Sequence, residues 1–217
     1  MENNKIKNLI ENYTEAKRES KEGNALSDIE KIEIVREVKQ NIVVPTVISR
    51  KIFLICPVGL IASGKSTILK MIASRLNMVV VSTDQIRWLL QDKGYNLTRT
   101  VEIAFEIVME FVEKGYPVAI DADCSARESI GIVDALSAEY NLPVVWIKVE
   151  TPEAEILKRL DISNKDRKYT GDKAIKNYYR RKVLHLDLKQ DFFYTFDGSK
   201  DLEKQVNEFM YLLKKDE

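Results

Sequence analysis

From residue 51 onward, short runs of apolar residues alternate with longer stretches in which apolar residues recur every three or four positions. The short runs are continuous, which is typical of strands that are buried on both faces of a sheet. The longer stretches have the period of amphipathic helices. Repeated units of this kind predict an α/β fold with a parallel, doubly wound sheet. The predicted strands are 52–58, 78–82, 117–122, 143–149 and 192–196.

The segments between these strands carry the signals of helices. A capping box, Ser125-x-x-Glu128, predicts the start of one helix, and Pro152 predicts the first position of the next, because proline is favoured there. The remaining helices are predicted after Lys65, after Asp84, over 100–114 and over 202–213.

The first 45 residues have a helical spacing of apolar residues and none of the short apolar runs seen after residue 51. They predict a separate helical extension. Apolar residues at helical spacing between positions 6 and 16 predict one helix, and Gly23 and Asn24 interrupt the pattern. A capping box at Ser27 and Glu30 predicts a second helix. We therefore divide the chain into an extension over 1–45 and a domain over 46–217. The extension either packs on the domain, mediates self-association or contacts a partner.

Composition narrows the class of protein. The 217 residues include 34 basic and 34 acidic side chains, and this zero net charge gives no global footprint for nucleic acid. No apolar run approaches the length of a membrane span, and the polar start is unlike a signal peptide, so we expect a cytoplasmic protein with no membrane partner. Cys56 and Cys124 end apolar runs, and the single histidine, His185, has no cysteine or histidine near it, which indicates buried thiols rather than a metal site.

Charge is unevenly distributed. Between Lys158 and Lys182 the sequence has ten Lys or Arg residues against three Asp or Glu residues. A charged helix usually presents a solvated face, but a basic block is also suited to binding phosphate.

The stretch from Gly59 to Ser66 fits the pattern G-x4-G-K-S of a P-loop, and it lies between a predicted strand and a predicted helix. Backbone amides of such a loop surround a phosphate, and the positive end of the following helix points to the same place. Lys65 is predicted to reach the β- and γ-phosphates, and the Ser66 hydroxyl to bind Mg²⁺. The residues predicted to hold the nucleotide are Gly59, Ala62, Ser63, Gly64, Lys65, Ser66 and Thr67.

The strand that follows the P-loop helix ends in Ser82-Thr83-Asp84, and Arg87 comes three residues later. Ligands of open α/β sheets bind at the carboxyl ends of the strands. Asp84 is placed there to accept a proton from an attacking hydroxyl, and Arg87 to hold a phosphate of the acceptor. The alternative is that Asp84 only caps the next helix.

Together the P-loop and the S-T-D-x-x-R stretch resemble the polynucleotide-kinase-like branch of the P-loop kinases, the AAA-type zeta-toxin and polynucleotide kinase family. The resemblance covers about residues 51–214. It implies a five-stranded parallel sheet in the order 2-3-1-4-5, flanked by helices, with a lid at about 160–182. It also implies that Asp84 is the general base and that Arg87 binds the acceptor's phosphate.

The resemblance implies further site residues. Asp121 lies at the Walker B position and is expected to bind Mg²⁺ through water. Asp123 and Arg127 are candidates for binding the acceptor at the same edge. Arg167 matches the lid arginine that clamps the transferred phosphoryl group, with Arg159 as a second candidate.

Two departures from the family pattern bear on these expectations. The family often has R-N-x-x-R in the lid, whereas here the stretch is Ser163-Asn164-Lys165-Asp166-Arg167, which lacks the first arginine. In the P-loop, Ile61 and Ala62 replace the usual Pro-Gly.

The function that these residues predict is a Mg²⁺-dependent kinase that transfers the γ-phosphate of ATP to a hydroxyl. Its preferred acceptor bears a phosphate and is the 5′-OH of an RNA or DNA end. One alternative is a small-molecule kinase acting on a nucleoside, sugar, antibiotic or aminoacyl-tRNA. Another is a P-loop ATPase or nucleotide-gated binding module. The choice of ATP over GTP is a default, since no residue identifies the base.

Overall fold

A computed structural model of the chain describes residues 23–47, 51–161, 170–184 and 190–215, except for the side chains of 127, 128 and 184. Its centre is a five-stranded sheet in which every pair of neighbouring strands is parallel. The strand order, β2-β3-β1-β4-β5, is the order that the resemblance implied. The strands are β1 (Leu54–Val58), β2 (Val79–Ser82), β3 (Val118–Asp121), β4 (Val144–Glu150) and β5 (Tyr194–Asp197).

Eight helices lie within the described residues, and most of them cover the two faces of the sheet. They are α1 (Asp28–Gln40), α2 (Lys65–Leu76), α3 (Thr83–Asp92), α4 (Thr100–Glu113), α5 (Arg127–Tyr140), α6 (Glu153–Leu160), α7 (Asp172–Leu184) and α8 (Leu202–Lys215).

Alternation along β1 shows how the two faces form. Leu54, Cys56 and Val58 join the core that includes residues of α1, α3, α4 and α5, whereas Ile55 joins the core that includes residues of α2 and α8. All four of these side chains are fully buried. A third, small cluster packs α6 and α7 against Ala62 in the loop that follows β1.

The register of β1 brings the carboxyl ends of the strands together. Leu54 lies beside Val118 on one side and Val144 on the other. Because all five strands run in the same direction, the segments that leave them meet at one edge of the sheet. The P-loop and both predicted aspartate positions, Asp84 and Asp121, lie at or just beyond that edge.

Two predicted helix starts are each wrong by one residue. The N-cap of α5 is Ala126 rather than Ser125, because the Ser125 hydroxyl donates a hydrogen bond of 2.9 Å to Asp123 instead of capping the helix. Pro152 is the N-cap of α6, since its ψ of 139° is extended, and the helix begins at Glu153.

Helix α1 packs on the domain. The predicted capping box is confirmed, with Ser27 accepting a hydrogen bond from the amide of Glu30. Ile34, Val35 and Val38 are buried in the core shared with α3 and α4. Residues 1–22, where the first helix was predicted, lie outside the described residues, and the domain boundary at 45/46 stays a prediction.

Ion pairs fix α1 along α4. Lys31 donates to Glu102 at 2.9 Å and to Glu106 at 2.8 Å, and Lys39 donates to Glu110 at 2.7 Å. Among the described residues, no helix has the length and hydrophobicity needed to cross a membrane.

Candidate active site

The loop between β1 and α2 has the backbone conformation that its sequence pattern predicts. Gly64 has a φ of 107°, which favours glycine, and a Cβ at Gly59 would lie 2.6 Å from the carbonyl oxygen of Val149. Ala62, which replaces the family's glycine, also has a positive φ, 63°. This left-handed conformation costs an alanine about 1 kcal/mol. The rest of the loop therefore holds Ala62 in a backbone conformation that alanine disfavours.

Lys65 occupies the inside of this loop. Its Nζ donates hydrogen bonds to the carbonyl oxygens of Gly59 at 2.6 Å and Leu60 at 2.9 Å. Burial lowers the pKa of Lys65, and the carboxylates of Asp123, Asp121 and Asp84 oppose that shift. Three of the predicted acidic residues therefore act on the same ammonium group.

Ser66, in the first turn of α2, contacts the end of β3. Its Oγ donates a hydrogen bond of 2.8 Å to Oδ1 of Asp121. Burial raises the pKa of Asp121, although hydrogen bonds from Ser66 and Ser82 favour its charged form.

This hydroxyl and carboxylate fit Mg²⁺, which usually takes one or two carboxylates together with water and phosphate oxygens. In the part of the chain that the structure describes, no group of three or more His, Cys, Asp or Glu side chains could hold a metal by itself. An ion bound by Ser66 and Asp121 would therefore take its other ligands from water and phosphate.

Asp84 and Arg87 lie on the first turns of α3. Arg87 Nη1 donates to Oδ1 of Asp84 at 2.7 Å, and the Asp84 side chain is 62% exposed. The N-cap is Ser82, so Asp84 lies inside the helix rather than capping it. The negative charge of Asp84 opposes the lowering of the Lys65 pKa and contributes to raising the pKa of Asp121, so Asp84 lies within electrostatic range of both groups.

Asp123 connects the P-loop to α7. Its Oδ1 accepts a hydrogen bond of 3.4 Å from the amide of Gly59, and its Oδ2 accepts one of 2.9 Å from Arg181. Besides burial, which is the main cause, the positive charge of Arg181 contributes to lowering the pKa of Lys65. Sequence reasoning did not single out Arg181, although it lies in the basic block.

Arg159 and Thr151 support the outside of the P-loop. Arg159 donates to the carbonyl oxygens of Ala62 at 3.0 Å and Gly198 at 2.7 Å. Thr151 Oγ1 donates to the carbonyl oxygen of Ser63 at 2.8 Å. The guanidinium of Arg159 is therefore engaged by backbone carbonyls, which is the role of a structural brace.

The helices at the predicted lid pack against the P-loop. Ile156, Leu160, Ala174 and Tyr178 form the small cluster around Ala62. Tyr178 also donates a hydrogen bond of 3.1 Å to Glu153, which joins α7 to the start of α6. This packing places Arg181 beside the loop.

The structure thus brings together most of the predicted site. Lys65, Ser66, Asp84, Asp121 and Asp123 meet at one edge of the sheet. Arg167 lies outside the described residues, and so does the side chain of Arg127, although α5 begins there.

Comparison with known proteins agrees with this architecture. A family model described as an AAA domain matches residues 54–181, which is more than half of the chain. The chain therefore belongs to that family. No curated protein matches it in sequence.

Three solved structures resemble the chain in fold. The Mycobacterium tuberculosis APS kinase CysC, in complex with AMPPNP and APS, is 16% identical with a TM-score of 0.54, over 76% of this chain and 98% of that one. A sugar kinase from a Janibacter species is also 16% identical with a TM-score of 0.54, over 75% and 95%. A candidate kinase from Chloroflexus aurantiacus is 14% identical with a TM-score of 0.60, over 75% and 98%. At these identities the likeness establishes the fold alone, which is that of P-loop NTPases.

Proposed function

We propose that the protein is an ATP-dependent phosphotransferase that moves the γ-phosphate to a hydroxyl group. The observation that carries this proposal is the placement of Lys65, the Ser66–Asp121 pair and Asp84 at one edge of the sheet. An ATPase needs the first three of these residues. An exposed carboxylate at the start of the neighbouring helix, within electrostatic range of Lys65, is what a kinase adds.

Each residue has a task in this reaction. Amides of the loop from Gly59 to Gly64 bind the phosphates, and Lys65 exchanges its carbonyl partners for phosphate oxygens. Ser66 and Asp121 would hold Mg²⁺, which would supply positive charge to the bound phosphates.

Asp84 accepts the proton of the acceptor hydroxyl. As that oxygen forms its bond to the γ-phosphorus, the bond to the bridging β–γ oxygen breaks, and ADP leaves with that oxygen. Arg181 stabilises the charge on the transferred phosphoryl group, because it lies within the predicted lid and is paired with Asp123, which also binds the amide of Gly59 in the P-loop. Arg167 was predicted to clamp the same phosphoryl group. That role of Arg167 stays a prediction.

The acceptor is proposed to carry a phosphate, since Arg87 lies one helical turn from Asp84. The preferred acceptor remains the 5′-OH of a polynucleotide. A small-molecule acceptor is the second candidate, because the net charge of zero favours contact with few phosphates and because the related folds include an APS kinase and a sugar kinase.

A transfer assay with γ-labelled ATP, and in parallel γ-labelled GTP, tests the proposal. The purified protein with Mg²⁺ would be offered 5′-OH oligonucleotides, nucleosides, nucleoside 3′-phosphates, APS and sugars. We expect label on at least one hydroxyl acceptor, and no label when Lys65→Met is used. Release of free phosphate with no labelled acceptor would mean that the protein is an ATPase rather than a kinase.

A further inference from the structure

Asp123 contacts two of the groups that the proposed function assigns to phosphate. Its Oδ1 accepts a hydrogen bond of 3.4 Å from the amide of Gly59, and its Oδ2 accepts one of 2.9 Å from Arg181. A third such group is Lys65. Burial has the largest effect on the pKa of Lys65 and lowers it, and the charge of Asp123 is the strongest of the influences that oppose this shift. One carboxylate therefore binds a loop amide and a guanidinium and lies within electrostatic range of the ammonium group.

These donors are of the kinds that bind the terminal phosphates of a nucleotide. Loop amides, the P-loop lysine and an arginine hold the β- and γ-phosphates in P-loop enzymes. A carboxylate resembles a phosphate in such contacts, because it is an anion whose oxygens only accept hydrogen bonds. Two anions that share the guanidinium of Arg181 would also repel each other. A bound phosphate and Asp123 are therefore rivals for the same arginine.

The segment around Asp123 holds its carboxylate in place. The Ser125 hydroxyl donates a hydrogen bond of 2.9 Å to Oδ2 of Asp123. The amide of Cys124 donates one of 3.1 Å to the carbonyl oxygen of Pro57, which ties the segment after β3 to the end of β1. Because the Asp123 side chain is mostly buried, its charge is only weakly screened. The carboxylate is thus fixed beside the P-loop.

We propose that Asp123 competes with the γ-phosphate for Arg181 and takes this arginine back after the phosphoryl group has been transferred. The inference rests on the proposed function, from which it takes the contact of Arg181 with the γ-phosphate. In this role Asp123 weakens the binding of a triphosphate much more than that of a diphosphate, and it favours release of the phosphorylated product. Acceptor binding, which the resemblance implied for Asp123, is the alternative role.

Nucleotide affinity tests the proposal without any transfer. Calorimetry on the full chain with Mg²⁺ would measure the Kd for ADP and for AMPPNP, the ATP analogue whose γ-phosphate is not transferred. Asp123→Asn removes the competing charge, so the Kd for AMPPNP should fall by about tenfold, equivalent to about 1.4 kcal/mol, while the Kd for ADP changes much less. A Kd for AMPPNP that rises or stays the same would overturn the proposal, and so would an equal fall for both nucleotides. If that Kd is unchanged and the KM for the acceptor rises, Asp123 binds the acceptor instead.

Asp84→Asn is the matched control for charge. Asp84 also opposes the lowering of the Lys65 pKa, but its carboxylate pairs with Arg87 rather than with Arg181. This variant should change the Kd for AMPPNP much less than Asp123→Asn does. Equal tightening by the two variants would reduce the effect to general electrostatic repulsion and contradict the specific competition.

A double-mutant cycle identifies the group for which the two anions compete. In an Arg181→Met background, Asp123→Asn should tighten AMPPNP binding much less than in the wild type. Tightening of the same size in both backgrounds would show that Arg181 is not the contested group.

Ser125→Ala keeps the test decisive if Asp123→Asn fails to fold. Ser125 is only partly buried, and its loss removes one hydrogen bond that holds the Asp123 carboxylate. AMPPNP binding should tighten by a smaller factor than in Asp123→Asn, and unchanged or weaker binding would count against the proposal. These measurements do not depend on transfer. If no acceptor is labelled, the kinase is wrong, and the nucleotide affinities still decide whether Asp123 competes with the γ-phosphate.

Discussion

Arg181 donates a hydrogen bond of 2.9 Å to Asp123, although 58 positions separate the two residues. Asp123 also accepts a hydrogen bond from the amide of Gly59, so the ion pair connects α7 directly to the phosphate-binding loop. The Asp123 side chain is 12% exposed and that of Arg181 31%, which makes the pair less screened than one at the open surface. We expect triphosphate to compete with Asp123 for Arg181.

Replacement of Arg181 tests this competition. Arg181→Met should lower kcat for phosphoryl transfer by about 10²- to 10³-fold, as for the loss of one donor to a charged transition state. Binding of ATP should change much less. Calorimetry with ATP and single-turnover transfer would measure the two effects separately.

Arg180→Met is the matched control, because Arg180 is exposed and its guanidinium donates to Asn177 on its own helix. Transfer by this variant should equal that of the wild type. If both variants lose activity equally, the effect belongs to the basic block as a whole and Arg181 has no special role.

Asp84 is the residue on which phosphoryl transfer depends in our proposal. Asp84→Asn keeps the shape of the side chain but cannot accept the proton, so transfer should fall by about 10²- to 10⁴-fold. ATP binding should persist, since no phosphate-binding group is removed. Labelled-phosphate transfer and ATP calorimetry are the measurements.

Asp92→Asn, at the other end of α3, makes the same change without touching the site and should leave transfer intact. An Asp84→Asn protein that still transfers phosphate at the wild-type rate would rule out Asp84 as the base.

The sequence predicts those parts of the molecule whose structure depends on residues close to one another along the chain. The strands, most helices and the P-loop follow from apolar period and from glycine and lysine spacing within a few residues. The S-T-D-x-x-R stretch placed Asp84 correctly at the sheet edge. The end of a strand can be recognised from neighbouring residues, and in a parallel sheet the carboxyl ends of all strands lie at one edge.

What the sequence left open depends on contacts between distant segments. Nothing near Arg181 distinguishes it from Arg180, and only the packing of α7 brings it to Asp123. The predicted capping box at Ser125 failed for the same reason. Its hydroxyl binds Asp123, whose position is set by the edge of the sheet rather than by α5.

Asp121 is expected to lower the stability of the ligand-free protein. Because burial raises its pKa above the ordinary 3.8, the folded chain binds this proton more tightly than the unfolded chain does. The contribution of this group to the free energy of unfolding therefore falls as the pH rises from about 3.8 through its raised pKa. Above that range the penalty is complete.

Asp121→Asn removes this penalty and keeps an oxygen for Ser66. We expect the variant to have a higher Tm than the wild type at neutral pH, with the difference vanishing towards the acid range, while Mg²⁺-dependent transfer is lost. Thermal unfolding across pH, without ligand, is the measurement. A lower Tm at neutral pH would mean that the attraction of Asp121 to Lys65 outweighs its burial.

Helix α1 should behave as part of the folded domain. Ile34 is 1% exposed in the core shared with α3 and α4, so Ile34→Ala should reduce the free energy of unfolding by about 2–5 kcal/mol. On the same helix, Ile32 is 55% exposed, and Ile32→Ala should change stability little. Urea unfolding of both variants measures the effect of the same Ile→Ala change at a buried and at an exposed position. Equal, small effects would mean that residues 28–40 contribute nothing to the domain's stability.

Gly198, directly after β5, is expected to control the shape of the phosphate-binding loop. A Cβ at this position would overlap the carbonyl oxygen of Ser63 and the hydroxyl of Thr151, which hydrogen-bond each other. Since the Ser63 carbonyl and the Thr151 hydroxyl are both fixed against the loop, Gly198→Ala should cost about 1–3 kcal/mol of stability and weaken ATP binding as well.

Gly131→Ala is the matched control, because nothing lies within 4 Å of a Cβ added at Gly131 in the middle of α5. This variant should stabilise the protein by about 0.5–1 kcal/mol. Chemical denaturation and ATP calorimetry on the two variants test the pair. Normal ATP affinity in Gly198→Ala would show that the loop adapts to the extra methyl group and that its bracing by Thr151 is not needed for binding.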